Sequence, residues 1–390
     1  MSYRIERRDN TTASKHLNKE EMQQAKYGIL RRAVSCDMTY LDRRDHYHSI
    51  YYNKMVCAPG FEIDRTSGGL SYKVGDYYLS SLLGRGGGGS VYEGRHRKTN
   101  KRVAIKVVTK SRTEETRAAQ GSNRRGSAGK DVNSSVAYAK KIQRTRKEYT
   151  VMSHLRDHRH ITKLLDVVEN DKAICLVLEL GAGGDLFQHI QQKGRLSLYE
   201  SWFLFRQLVS AVAHAHAQGF VHRDIKPENV FLSEDKKTAT LGDWGFADVW
   251  CSFKDLKEGV GSLNYCSPEI VGGLPYTGPE VDIWSLGTCL YAMVTGNLPF
   301  AADSPKQVVM NIKTSNFVLT GSCEADPLLY DLLSRLLNPN TLERAKMADL
   351  LEHRWFRNGP TLAHIKDRRK RTGSATNVLA TNNRHRTRVN

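Results

Sequence analysis

The chain of 390 residues has no run of about 18 uncharged apolar residues, so it offers no membrane-spanning helix. Its opening residues, MSYRIERRDN, lack the apolar stretch of a secretory signal, and secretion is not expected. The seven cysteines, at positions 36, 57, 175, 251, 266, 289 and 323, show no metal-ligand spacing, and an odd number leaves one unpaired in any disulfide scheme. Reduced thiols fit better, and the expected location is the cytoplasm, the nucleus or both. No internal repeat is visible, which excludes solenoids and propellers. No recognised nucleic-acid module accompanies the basic charge, so nucleic acid is not an expected partner.

What is present is the makeup of a folded protein, with 39% hydrophobic and 26% charged residues in a chain long enough for a sizeable core. The 59 Lys and Arg against 41 Asp and Glu give a formal charge of +18, an excess that attracts acidic partners or anionic surfaces. Part of it is local: from Arg357 onward nine Lys and Arg stand against Asp367, a net of +8 on a short polar tail expected to be disordered. Within it, Asp367-Arg-Arg-Lys-Arg371 has the makeup of a nuclear address or an anionic docking patch, and equally of a solvated charge run. The tail has no apolar face of the kind a calmodulin target needs.

Residues 1–76 mix charges with Tyr and Arg without sustained periodicity and read as a basic extension, disordered or conditionally ordered. From Tyr77 the pattern changes to β-rich runs, YYLSSLL, SVYEGRH and RVAIKVV, which predict three antiparallel strands. Residues 111–138, rich in Gly, Ser and Arg with no apolar face, read as a loop insertion. Ile142, Tyr149, Met152 and Leu155 then have helical spacing, and ITKLLDVVE and AICLVLEL predict two more strands. After GAGGD the chain turns helical, with Trp202, Phe205, Val209 and Val212 on one stripe and Gly219 as a stop. Further helices are predicted at DIWSLGTCLYAMVTG and LLYDLLSRLL.

Two features suggest phosphate chemistry. Gly84-Arg-Gly86-Gly-Gly-Gly89-Ser-Val91 lies between strand-like runs, where missing side chains let backbone N–H groups approach phosphate oxygens. Alone, this is also the composition of a flexible linker. Lys106, ending Val103-Ala104-Ile105-Lys106, would be costly in an apolar strand unless an anion neutralised it, although a single lysine can also snorkel from a sheet edge.

With these two motifs in order, the sequence resembles the protein kinase family, whose strand lysine pairs with a glutamate on a helix termed αC. Glu148 in RTRKEYTVMSHL matches that glutamate, unless it is only a solvated helix charge; its separation from Lys106, 148 − 106 = 42, is long for the family and is accounted for by the insertion. The most specific match is Val221-His222-Arg223-Asp224-Ile225-Lys226-Pro227-Glu228-Asn229, which agrees with the family's catalytic loop at every defining position.

The resemblance implies that Asp224 accepts the substrate hydroxyl proton, Lys226 neutralises the transferring phosphoryl group, and Asn229 and Asp243 hold Mg2+. Gly84, Gly86, Gly89 and Lys106 would bind the phosphates of ATP, and Val91, Ala104 and Phe231 would sandwich its adenine. Glu179 and Leu180 match the hinge that bonds the base through backbone groups, with Leu178 as gatekeeper. Asp185 matches an acidic position near ribose and substrate, and with Glu228 it implies a preference for basic residues N-terminal to the acceptor, unless both are simply solvated. Glu269 and Arg344 match a buried structural pair, and Asp282 a brace for the catalytic loop.

The implied fold is α+β and bilobal: a small antiparallel β lobe with helix αC at about 77–180, carrying the insertion, and a larger, mainly helical lobe at about 181–356, followed by the tail 357–390. The implied activity is a serine/threonine protein kinase using ATP and Mg2+ on protein substrates, with Lys226 of the Ser/Thr rather than the Tyr type. LVLELGAGGDLF and GSLNYCSPE look most like the calmodulin-dependent and AMP-activated branch. The rival is a pseudokinase scaffold that binds partners without transfer; retention of Lys106, Glu148, Asp224, Asn229 and Asp243 argues against it.

Three departures bear on regulation. Trp244 replaces the family's Phe in Asp243-Trp244-Gly245 and puts the balance of active and inactive states in question. Glu258 stands where related kinases carry a phosphorylated threonine facing the catalytic-loop arginine, here Arg223. Gly87 and Gly88 at the loop tip imply extra mobility and weaker ATP affinity.

Overall fold

The computed structural model describes residues 62–64, 71–86, 88–110, 128–253, 255–319 and 326–360. Most of the N-terminal extension, the loop-tip Gly87, the first part of the insertion and the tail from Thr361 lie outside these residues.

The first strands are β1 (Glu62–Asp64), β2 (Ser71–Val74), β3 (Tyr77–Gly86), β4 (Gly89–His96), β5 (Arg102–Thr109), β6 (Leu164–Glu169) and β7 (Ala173–Glu179). Among the described residues they form one seven-stranded antiparallel sheet, ordered β1-β2-β3-β4-β5-β7-β6. The β-branched run of β5 suits a strand paired on both edges, and Val103, Ile105, Val107 and Val108 are buried. Its register sets Lys106 opposite Val91 on one side and Ala104 opposite Leu178 on the other.

Strands β1 and β2 correct the expectation of disorder up to residue 76. Tyr72 and Val74 are buried opposite Leu79 and Tyr77, across a two-residue Gly75-Asp76 turn in which Gly75 has φ 53°. The alternation of SYKV and the Gly-Asp pair are hairpin signals that the surrounding charge obscured.

Helix α1 (Ala128–His154) corrects the loop reading of residues 128–138. Its C-terminal half is anchored by buried Met152 and Val151, and once an anchored helix exists each added residue gains one backbone hydrogen bond without a new nucleation cost. No apolar face is needed for such an extension.

The larger lobe comprises α2 (Leu186–Lys193), α3 (Leu198–Ala217), α4 (Pro268–Val271), α5 (Pro279–Thr295), α6 (Pro305–Thr314), α7 (Pro327–Leu336), α8 (Met347–Glu352) and α9 (Arg354–Asn358). Between them lie short ladders of β8 (Phe220–Val221) with β11 (Asp248–Val249) and β9 (Val230–Leu232) with β10 (Ala239–Leu241). Helix α5 is buried from Val281 to Thr295 and forms the centre of the lobe, with Trp284 stacked on Phe300 at 5.3 Å. On α3, Phe205, Val209 and Val212 are buried as the stripe predicts, and Trp202 is half-buried with its indole N–H donating to Phe356 O at 2.8 Å. Among the described residues, no helix is long and apolar enough to cross a membrane. The catalytic loop follows β8 and Asp243 follows β10, so both reach the mouth of the cleft below the sheet.

Candidate active site

Lys106 projects from β5 between two carboxylates. Its Nζ lies 2.7 and 2.9 Å from the Glu148 oxygens and 2.8 Å from Asp243 Oδ1. Lys106 and Glu148 are buried, whereas 40% of the Asp243 side chain stays exposed. Burial pushes the lysine pKa down, but Glu148 and Asp243 outweigh it and raise the value above that of a free lysine. For Asp243, burial acts upward and is overcome by Lys106, with His222 and Lys226 adding to it, so its carboxyl is held below the usual range. Burial raises Glu148 against the opposing pull of Lys106. A lysine spanning 42 residues of chain is thus committed to α1, despite the insertion between them.

Asp224 is buried at the start of a turn that ends in Asn229. Lys226 Nζ donates to Asp224 Oδ2 at 2.7 Å and to Ser262 Oγ at 2.8 Å, and Ser262 Oγ donates to Asp224 Oδ1 at 2.9 Å. Asn229 Nδ2 donates to Asp224 O at 2.8 Å, which leaves its amide oxygen free as an acceptor. The loop is held from below by Asp282 of α5, which accepts from the backbone N–H of His222 and Arg223 at 2.9 and 2.8 Å and from His216 Nε2 at 2.8 Å. Burial pushes the Asp282 carboxyl up, and His216 with these donors brings it below normal. Because Asp224 N–H donates to His222 Nδ1, the ring proton sits on Nε2 and donates to Gly242 O at 3.0 Å. Arg223 pays for this course with φ 66°, a left-handed conformation that the surrounding bonds must hold.

A cleft of about 460 Å³ gathers Gly84, Val91, Ala104, Lys106, Glu148, Leu178, Glu179, Leu180, Asp185, Asn229, Phe231 and Asp243, all of them expected from the sequence as site residues or gatekeeper. Asp224 and Lys226 border it through Asn229 and Asp243, while Gly86 and Gly89 lie in the β3–β4 turn above. A Cβ on Gly84 or Gly86 would meet nothing within 4 Å, so packing does not explain glycine there. Gly89 is different: its φ of 145° and the nearby Val107 carbonyl leave no room for a side chain. Glu179 N–H already donates to Lys163 O at 2.9 Å, so it is not available to a base. Asp185 caps α2 by accepting from Gln188 N–H at 2.7 Å, and burial raises its pKa.

The segment after Asp243 closes onto the catalytic loop. Arg223 donates to Phe246 O at 2.8 Å, to Tyr276 at 3.2 Å, to Asp248 at 3.0 Å and to Glu258 at 3.2 Å. Lys147 of α1 reaches the other oxygen of Asp248 at 2.6 Å. Trp244 is fully buried, its ring 4.6 Å from that of His222, with the Lys106–Glu148 pair formed. Glu269 and Arg344 make a buried bidentate pair at 2.6 and 2.9 Å. Sequence reasoning missed Ser262, Asp248 and Lys147. The only signal for Ser262 is a hydroxyl within GSLNY, and nothing in its spacing aims it at Asp224.

Among the described residues, no group of three or more His, Cys, Asp or Glu could hold a metal ion unaided. The free amide oxygen of Asn229 and the exposed part of Asp243 are hard oxygen donors, tied together by Gly242 N–H donating to Asn229 O at 2.9 Å. Two such donors fit Mg2+, which commonly keeps water and phosphate oxygens for its remaining positions.

Comparison with known proteins agrees with this geometry. The chain is 33% identical over 285 residues to a carbon catabolite-derepressing protein kinase of Secale cereale, covering 73% of this chain and 52% of that protein. It is 34% identical over 289 residues to serine/threonine protein kinase OSK3 of Oryza sativa subsp. indica, covering 74% and 52%. A carbon catabolite-derepressing protein kinase of Candida tropicalis is 34% identical over 285 residues, covering 73% and 42%. The chain spans about half the length of the curated relatives it matches. The family model described as protein kinase domain matches residues 77–356, and the chain belongs to the protein kinase family, with motifs worded like those of its calmodulin-dependent and AMP-activated branch.

Proposed function

We propose that this chain is a serine/threonine protein kinase that transfers the γ-phosphoryl group of ATP to Ser or Thr hydroxyls of protein substrates. The observation that carries the reading is the joining of Asp224, Lys226, Ser262 and Asn229 in one hydrogen-bonded group at the edge of the cleft that holds Lys106, Glu148 and Asp243. The names of the relatives point the same way.

In this reading Lys106, oriented by Glu148, binds the α- and β-phosphates, and the glycine turn closes over them. Asp243 and Asn229 would hold Mg2+, which would supply charge neutralisation when bound. Asp224 orients the attacking hydroxyl and takes its proton, while Lys226, already within reach, stabilises charge on the transferring group. Catalysis is then mostly positioning, which can remove about 7–11 kcal/mol of barrier.

Acceptors with basic residues on their N-terminal side suit the site. Glu228 keeps a buried carboxylate oxygen without a hydrogen-bond partner, and burial, with Asp185 and Asp224 nearby, raises its pKa. A guanidinium supplied by a substrate would offset the charge of Glu228 and Asp185. The basic tail suits an anionic partner, and the composition suits the cytoplasm or nucleus.

The test is transfer of labelled γ-phosphate from Mg·ATP to a basic Ser/Thr peptide library by wild type and Asp224→Asn. Transfer that is lost in the variant supports the kinase. ATP binding without wild-type transfer would favour the pseudokinase scaffold instead.

A further inference from the structure

The described residues of the large lobe end at Pro360, and the chain leaves that lobe on the side of α3. Gly359 closes α9 with φ 77°, and a Cβ there would stand 3.2 Å from Trp202 Cε2. On the same turn of α3, Glu200 bonds His189 at 2.8 Å and Lys193 at 2.7 Å, which ties it to the end of α2. Asp185 caps the other end of α2, and eight helical residues lie between them, about 12 Å of rise. Along this path the exit of the chain lies on the order of 30 Å from Asp185.

Asp185 and Glu228 share one edge of the cleft. The Asp185 backbone pairs with that of Phe231, just beyond the turn Pro227–Asn229 that carries Glu228. Both side chains are half-buried, and among the described residues neither has a Lys or Arg paired with it, whereas Asp224 nearby is paired with Lys226. The edge lacks cations, and the chain beyond Pro360 has them in one run: Arg368-Arg369-Lys370-Arg371, followed at once by Thr372 and, two residues on, by Ser374. Twelve residues from Pro360 to Thr372 span at most about 40 Å, so the run and both hydroxyls can reach this edge from their own exit point.

We propose that Thr372 and Ser374 are modification sites of this chain, phosphorylated by its own cleft with Arg368-Arg369-Lys370-Arg371 laid along Asp185 and Glu228. The proposal rests on the reading of the cleft as a serine/threonine kinase. The Thr372 or Ser374 oxygen attacks the γ-phosphorus of ATP, the bond from that phosphorus to the β,γ-bridging oxygen breaks, ADP leaves, and the hydroxyl proton passes to Asp224. An extended chain advances about 3.3 Å per residue, so with either hydroxyl at Asp224 the cations that precede it pass along the acidic edge. Attachment raises the local concentration of this acceptor to about the millimolar range, and the reaction is intramolecular. Each phosphate then brings about −1.5 to −2 charges next to Asp185 and Glu228, and the product leaves the edge.

The experiment incubates the full chain with Mg·ATP labelled at the γ-phosphate, locates the label by mass spectrometry, and runs transfer to the basic peptide library beside it. Label is expected at Thr372 and Ser374 of wild type and not in Asp224→Asn alone. The rate constant should hold across about a hundred-fold dilution of the enzyme, and Asp224→Asn mixed with wild type should take up less than about a tenth of the label. A variant carrying Arg368→Gln, Arg369→Gln, Lys370→Gln and Arg371→Gln, all outside the kinase domain at 77–356, should be labelled at least about ten-fold more slowly.

Peptide transfer with no label at Thr372 or Ser374 would overturn this proposal and leave the kinase reading standing. So would a rate constant that rises in proportion to enzyme concentration, an Asp224→Asn chain labelled as fast as wild type in the mixture, or undiminished labelling of the Gln variant. Wild type that transfers phosphate neither to peptides nor to itself would overturn both.

Discussion

Glu258→Ala separates a built-in activating charge from an ordinary surface carboxylate. Glu258 Oε2 lies 3.2 Å from Arg223 Nη2, and the same nitrogen meets Asp248 at 3.0 Å. The guanidinium is buried, with 2% of its side chain exposed, but Glu258 is 70% exposed. Water therefore screens the pair, and its contribution to folding should be about 0.5 kcal/mol, within the range for exposed pairs. For a domain of this size that lowers Tm by roughly 1–2 °C. Activity should respond as well, because the contact holds the segment that carries Ser262 against the loop that carries Asp224. The same contribution of about 0.5 kcal/mol, acting between the ordered and released segment, corresponds to about a two-fold fall in kcat/KM.

Glu258→Gln tests charge apart from shape and should resemble Glu258→Ala. Both variants should lose part of the salt sensitivity of wild type, since rising ionic strength screens the pair that they lack. Treatment of wild type with phosphatase should leave activity in place, because Asp248 and Glu258 already occupy the arginine that a phosphate would seek. Variants as active as wild type at low salt, or a wild type silenced by phosphatase, would refute the reasoning.

Lys106→Met leaves Glu148 and Asp243 without their cation, and the expected cost is about 3–5 kcal/mol, a Tm fall on the order of 10 °C, with transfer abolished; the deficit should shrink at acid pH as Glu148 takes up a proton. Asp282→Asn keeps the shape of the brace but removes the charge that accepts three N–H bonds, so kcat should fall about 100-fold with a loss of roughly 2 kcal/mol in urea unfolding. His158 is pushed down to about 4 by burial, with His214, His160 and Arg159 adding to it, from an ordinary value near 6.5. The folded state then binds fewer protons between those values, so thermal stability should hold above pH 6.5 and decline as pH falls toward 4, and His158→Gln should flatten that decline.

The parts of the site that were legible in the sequence are those whose chemistry is local. HRDIKPEN places Asp224, Lys226 and Asn229 within six residues, and an apolar strand ending in Lys106 demands an anion whatever surrounds it. Glu148 was legible only through the resemblance, since no spacing rule joins residues 42 apart. Ser262, Asp248 and Lys147 were not legible, because each acts on a partner brought near by the fold of the segment after Asp243. The β1–β2 addition was hidden by its charged context, and the extra turns of α1 by a composition poor in apolar residues. In both cases an ordered neighbour supplies the order that the local sequence does not declare.

The charges of the cleft also bear on what it must take in. Lys106 faces two carboxylates, Lys226 faces Asp224, and Asp185 and Glu228 have no lysine or arginine bonded to them among the described residues. The cavity side is thus negative before any nucleotide arrives, and a triphosphate entering alone would meet Asp243 with its carboxyl held ionised by Lys106. Entry with a divalent cation removes that conflict at Asp243 and Asn229. At the other edge burial raises the pKa of both Asp185 and Glu228, with the neighbouring Asp185 and Asp224 carboxylates adding to it at Glu228. In the proposed reading a basic peptide side chain would stabilise their ionised forms there. This electrostatic deficit would, in that reading, be met by two cations from two sources: a metal ion that travels with the nucleotide, and a Lys or Arg that the protein substrate brings.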